Sequence, residues 1–106
     1  MKPIRAKSPT EKLIQSKIRK ALEATGALVR KSHGNRFQVG WPDLLVLHPE
    51  HPARWIEVKR PKTGRLTPGQ RSEFEKWDAA GARIWVLTSV DQLDLLDTEP
   101  NWREWL

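Results

Sequence analysis

The sequence predicts an α/β fold laid out as helix, strand, strand, strand, helix, strand, with a short extra helix after the last strand. Three observations predict it. Short apolar runs rich in β-formers, at residues 27–31, 40–47, 55–60 and 82–88, are bounded by Gly, Pro and polar turns. Helix-start signals stand at Ser8-Pro9-Thr10-Glu11, Thr67-Pro68-Gly69-Gln70 and Ser89-Val90-Asp91-Gln92. The runs at 40–47 and 55–60 flank His48-Pro49-Glu50-His51-Pro52-Ala53, and since Pro cannot donate to a ladder, this pair reads as a hairpin with a polar turn.

A chain of 106 residues has room for one modest core, so residues 1–106 are expected to form a single domain, with an elements-bearing core at about 9–97 and a Trp-bearing tail at 98–106. There is no Cys, which removes disulfides and thiolate metal sites and suits an intracellular setting. The basic start, Met1-Lys2-Pro3-Ile4-Arg5-Ala6-Lys7, leads into no apolar segment, and no run approaches membrane-spanning length. A protein that is not exported and has no membrane partner is the expectation. Net charge is +6, unevenly spread: residues 91–106 carry five acidic residues against Arg103 alone, a net of −4, which leaves +10 on the rest. A basic body favours a polyanionic partner, although it also keeps a small protein in solution.

The first helix is expected over about residues 9–25, with Ser8 as N-cap, Pro9 at the first helical position and Glu11 as the third residue of a capping box. Ile14, Ile18, Ala21, Leu22 and Thr25 follow at helical spacing, and Gly26 ends it. Glu11 lies on or near that apolar stripe, so it either closes the capping box or aims a carboxylate at the sheet. Residues 27–31 form the first strand. The loop Ser32-His33-Gly34-Asn35-Arg36 leads to Phe37-Gln38-Val39 and the hairpin; His33, Asn35 and Arg36 can hydrogen-bond phosphate oxygens or serve as an ordinary solvated loop.

After the hairpin, Arg60, Lys62 and Arg65 sit on a Pro/Gly loop that can follow a phosphate backbone. The second helix runs from Thr67 to Gly81, and it places Gln70, Phe74 and Trp77 on one face. A buried Gln70 amide needs a partner: a neighbouring carboxylate, a loop carbonyl or a metal-bound water. The last strand covers residues 82–88, and a short acidic helix follows to about Leu96. Trp102, Trp105 and Leu106 are too apolar to leave in water, so they pack back on helix two or on a second copy of the chain.

Chemistry concentrates in the hairpin. A period of two puts Glu57 and Lys59 on one face with Val58 on the other, and antiparallel pairing brings Asp43 level with them. Burying such charges costs several kcal/mol each unless they are paired or bind a metal. Hard oxygen ligands such as Asp43 and Glu57 suit Mg²⁺ or Mn²⁺, whereas His48 and His51 in a Pro-rich turn make a poor zinc site. A divalent ion on two carboxylates polarises a phosphoryl oxygen and acidifies water, and Lys59 beside it can orient the nucleophile and neutralise developing charge. With a basic body, the implied reaction is phosphodiester hydrolysis.

Pro42-Asp43, thirteen intervening residues and Glu57-Val58-Lys59 match the motif of the PD-(D/E)XK nucleases. More narrowly, the chain resembles the stand-alone VRR-NUC (virus-type replication-repair nuclease) domains of phages. The likeness rests on Glu11, Gly40-Trp41-Pro42-Asp43-Leu44, Ile56-Glu57-Val58-Lys59, Leu66-Thr67-Pro68-Gly69-Gln70 and Gly81-Ala82 before an apolar strand, and it covers residues 9–97. The resemblance implies a restriction-endonuclease-like αβββαβ core, a mixed four-stranded sheet flanked by helices. It implies that Asp43, Glu57 and the Val58 carbonyl bind Mg²⁺ or Mn²⁺, that Glu11 adds a further carboxylate, that Lys59 assists the attacking water, and that Gln70 stands beside the active site. Phe74 departs from the Tyr that some exonuclease relatives carry after Q-x-x-x.

The same resemblance implies a homodimeric endonuclease of DNA repair or recombination acting on branched DNA, including four-way (Holliday) junctions. The alternative is a nucleic-acid-binding module that keeps the fold without useful catalysis; the intact Asp43, Glu57 and Lys59 argue against it.

Overall fold

The computed structural model describes residues 10–32 and 36–106. Its elements are α1 (Glu11–Glu23), β1 (Leu28–Lys31), β2 (Leu44–His48), β3 (His51–Val58), α2 (Pro68–Ala79) and β4 (Ile84–Leu87), followed by 3₁₀ segments at Val90–Asp97 and Trp102–Trp105. The strands lie in the order β1-β2-β3-β4. The first two pairings are antiparallel and the last is parallel, which gives the expected mixed sheet in αβββαβ order. The parallel β3–β4 pair requires a crossover, and α2 provides it.

Helix α1 starts later than its sequence suggests. Ser8 and Pro9 lie outside the described residues, and the N-cap is Thr10, extended at φ −70° and ψ 153°, whose side chain accepts from the Leu13 N–H at 3.1 Å. Glu11 is therefore the first helical residue and not the third of a capping box. Thr10 wins because its own hydroxyl reaches the third N–H of the helix directly. Ile14, Ile18 and Leu22 form the buried stripe.

The hairpin is tighter than residues 48–53 suggest. Its turn is Pro49–Glu50, and β3 begins at His51, so Pro52 lies inside a strand. A register irregularity between Val46 and His48 accommodates it, because a bulge is where a missing donor does least harm. At the other end β2 begins only at Leu44, four residues after Gly40. Pairing of Leu44 with Ile56 then sets Asp43 beside Glu57.

Two apolar clusters sandwich the sheet. On one side α1 and the Val90–Asp97 segment pack Ile14, Ile18, Leu22 and Leu96 onto Val29, Val46, Ile56, Val58, Trp85 and Leu87. On the other, Leu66, Phe74, Ile84, Val86 and Trp102 meet, with Trp55, Trp77 and Trp105 packed against them. Strand β4 feeds both clusters, so all four of its residues are buried and it reads as an unbroken apolar run.

The tail belongs to this core. Trp102 is only 1% exposed, sits edge-on to Phe74 at 6.0 Å, and donates its indole N–H to Asp78 at 2.8 Å. Asn101 accepts from the Val86 N–H at 2.7 Å and donates to the Val86 carbonyl at 3.0 Å, occupying the open edge of β4 as a neighbouring strand would. Trp102 is thereby removed as a subunit-interface candidate. Trp105 is half-buried against the same cluster.

Candidate functional site

The hairpin register and the start of α2 converge at one end of the sheet. Asp43 precedes β2, and its Oδ2 accepts from the Val58 N–H at 2.7 Å. Glu57, 2% exposed near the end of β3, accepts at Oε2 from the Gln70 amide at 2.8 Å and lies 3.3 Å from the Lys59 Nζ. Lys59, 7% exposed, also donates to the Gln70 Oε1 at 2.9 Å. Glu57, Lys59 and Gln70 thus close a ring of hydrogen bonds and charge.

Gln70 holds this ring because of local helix chemistry. It is the third helical residue after the Thr67 N-cap, and its Oε1 accepts from the Thr67 N–H at 3.0 Å while the Thr67 hydroxyl accepts from the Gln70 N–H at 3.1 Å. A Gln in this capping box has amide donors to spare, which a Glu would lack. The amide oxygen serves the helix and Lys59; the NH₂ group serves Glu57. Of the three partners foreseen for Gln70, the carboxylate is the one found.

Burial pushes the Glu57 carboxyl up to about 8, and the neighbouring Asp43 charge adds to it, against the opposing effects of Lys59 and Gln70. Asp43 is also raised, first by burial; the Val58 N–H and Lys59 oppose this, while the Glu11 charge reinforces it. Two adjacent carboxylates that both resist ionisation mark a place short of positive charge. Glu57 Oε1 is moreover a buried acceptor with no hydrogen-bond partner. An orphaned carboxylate oxygen next to a second carboxylate is a hard-oxygen donor set that fits Mg²⁺ or Mn²⁺.

Glu11 faces this site at longer range. Its charge acts on Asp43, yet among the described residues the three-residue group with donor atoms within 4.8 Å of one another is His48, Glu50 and His51, at the far end of the hairpin. There the His48 Nδ1 accepts from the Glu50 N–H at 3.1 Å, and its Nε2 lies 3.1 Å from the Thr25 carbonyl. Both ring nitrogens are engaged in fixing the turn.

Beside Lys59, the loop carrying Arg60, Lys62 and Arg65 is folded tightly. Gly64 is required: a Cβ there would stand 2.6 Å from the Arg60 carbonyl oxygen and 2.7 Å from the Lys59 Cβ. Arg65 donates to the Gly64 and Lys62 carbonyls at 2.7 and 3.2 Å, and all three basic residues are exposed. Arg36 is exposed as well, its guanidinium 4.9 Å from the Phe37 ring centroid. His33 and Asn35 lie outside the described residues.

A pocket of about 520 Å³ opens onto Asp43, lined also by Gln15, Lys31, Ser32, Gln38, Val39, Gly40, Trp41, Thr67 and Gln70. Lys31 and Gln15 were not singled out from the sequence, and Trp41 entered only as part of the Gly40–Leu44 motif. Lys31 arrives through the β1–β2 pairing, where it stands opposite Leu44, one residue from Asp43.

The profile of the VRR-NUC domain matches residues 5–91, a span holding every site residue named above. The chain belongs to the VRR-NUC family. A solved VRR-NUC domain structure is 36% identical, covers 82% of this chain and 94% of that chain, and superposes with a TM-score of 0.69. No curated protein matches the chain. VRR-NUC domains are nucleases, and the family is typically metal-dependent. Among the described residues no helix is long and apolar enough to cross a membrane.

Proposed function

We propose that this chain is an Mg²⁺- or Mn²⁺-dependent endodeoxyribonuclease that hydrolyses phosphodiester bonds in branched DNA, four-way junctions included, and acts as a homodimer inside the cell. The observation that carries the reading is the buried ring of Glu57, Gln70 and Lys59 beside Asp43, with Asp43 and Gln70 lining a pocket that Lys31 also borders. Asp43, Glu57 and the Val58 carbonyl are the residues that would hold the cation, with Glu11, whose charge acts on Asp43, as a further carboxylate. When bound, it supplies Lewis acidity and a more acidic water.

The side chains do the rest. Lys59 is fixed by Gln70 and Glu57 with its ammonium towards the reacting phosphate, where it orients the nucleophile and offsets charge that grows in the transition state. Gln70 keeps Lys59 and Glu57 in mutual register. The exposed Arg60, Lys62, Arg65 and Arg36 hold the phosphate backbone without reading bases. Cutting a four-way junction on two strands takes two such sites, hence a two-fold dimer.

The deciding experiment is a nicking assay on supercoiled plasmid and on flap, fork, splayed and four-way DNA, with Mg²⁺, Mn²⁺ or chelator. Metal-dependent nicks, most frequent on the branched set, are expected. Salt-sensitive binding without nicks under any metal would leave a binding module; a strict monomer by sedimentation, with and without DNA, would leave a single-strand nickase.

A further inference from the structure

The loop that walls the pocket presents apolar surface where a nuclease needs none for chemistry. Phe37 is 74% exposed and Val39 is 68% exposed, the two highest values among the large hydrophobic side chains described as exposed. Val39 lines the same pocket as Asp43 and Gln70.

The loop's base is anchored. The Trp41 N–H donates to the Gln38 carbonyl at 3.1 Å, and the Trp41 ring packs edge-on to Trp77 of α2 at 5.4 Å. Gly40 adopts φ +81° and lies so close to α2 that a Cβ would stand 3.0 Å from the Gly69 carbonyl oxygen and 3.2 Å from the Glu73 Cβ. The chain is thus pressed onto the start of α2, with Val39 lining the pocket and Phe37, two residues before it, exposed.

Resting on the nuclease reading above, we propose that Phe37 and Val39 form a wedge that stacks against a nucleobase displaced from its pair next to the scissile phosphate. A base within a regular duplex shows a protein only its edges; its π-face becomes reachable where the stack opens, at a branch or fray. An aromatic ring takes any base face, since stacking is sequence-tolerant. Arg36, 4.9 Å from the Phe37 ring, adds a cation for the adjoining phosphate. The wedge therefore makes the pocket select for DNA structure and not for sequence.

The test places 2-aminopurine next to the nick site in a four-way junction and in a matching regular duplex, and reads fluorescence in chelator, so that no cleavage is needed. Wild type is expected to change the junction signal and leave the duplex signal alone. Phe37→Ala with Val39→Ala should abolish that change and lower junction cleavage about 10-fold, with duplex binding within about twofold of wild type; Phe37→Trp should retain both. A double variant that perturbs and cuts the junction like wild type overturns the wedge. A fluorescence change that depends on Phe37, with no cleavage under any metal, sustains the wedge and overturns the nuclease reading instead.

Discussion

The main-chain N–H of Val58 donates to the Asp43 Oδ2 at 2.7 Å, across fifteen residues of chain. This bond lies just beyond the last paired residues of β2 and β3, where the ladder would otherwise end on an unsatisfied donor. It also restrains the Asp43 pKa against burial and fixes one carboxylate beside the other. The structural register and the chemistry are the same contact.

Replacing Lys59 with Met should keep the fold, because the metal-free Glu57 carboxyl, raised to about 8, already holds its proton at neutral pH and is not left as an unpaired buried charge. Cleavage should fall by at least ~10²-fold, the scale for losing a charge-stabilising or proton-handling group. Single-turnover cleavage rates with matched circular dichroism check this; an unchanged rate removes Lys59 from the chemistry.

Asp43→Asn keeps the shape but removes an anionic hard ligand and weakens the acceptor of the Val58 N–H. Mn²⁺ affinity, read by calorimetry, should drop by on the order of 10-fold or more. Equal titrations for variant and wild type would count against Asp43 as a ligand.

Glu57 gives a pH dependence whose sign is fixed. Its folded value is raised to about 8 from the ordinary 4.5, so between those values the folded metal-free chain keeps a proton that the unfolded chain releases. Stability from this group is full below about 4.5 and is lost as pH rises through 8. Thermal melts in chelator should therefore show wild type losing stability relative to Glu57→Gln from about pH 5 to pH 9. Metal affinity should strengthen over the same range, since binding must displace the proton. Parallel melting curves for the two proteins would refute the raised value.

Changing Arg60, Lys62 and Arg65 together to Ala should weaken binding to every DNA structure alike and flatten its salt dependence, by a slope of up to about 3. Anisotropy titrations over a salt series measure it. The expectation fails if affinity and slope stay put, in which case those cations serve only the fold of their own turn.

Trp102→Ala removes a buried indole and its bond to Asp78, and should cost about 3–5 kcal/mol in chemical denaturation. A loss near zero would mean the tail is dispensable to the core.

The sequence by itself determined the αβββαβ order, the hairpin, and the meeting of Asp43, Glu57 and Lys59, because those follow from short-range rules. A period of two assigns strand faces, a capping box starts α2, and a Pro-bearing turn joins adjacent strands whose pairing then follows. Only the tertiary structure decided the rest. It chose Thr10 over Ser8 as the N-cap and set the turn at Pro49–Glu50 around a bulge. It brought Lys31 to the pocket, tied Gln70 to both Glu57 and Lys59, and drew Trp102 inward where a second copy of the chain was an equal reading. Each of these depends on groups from separate elements competing for the same partner or the same apolar space, and that competition is resolved only when the sheet and its two helical layers close on one another.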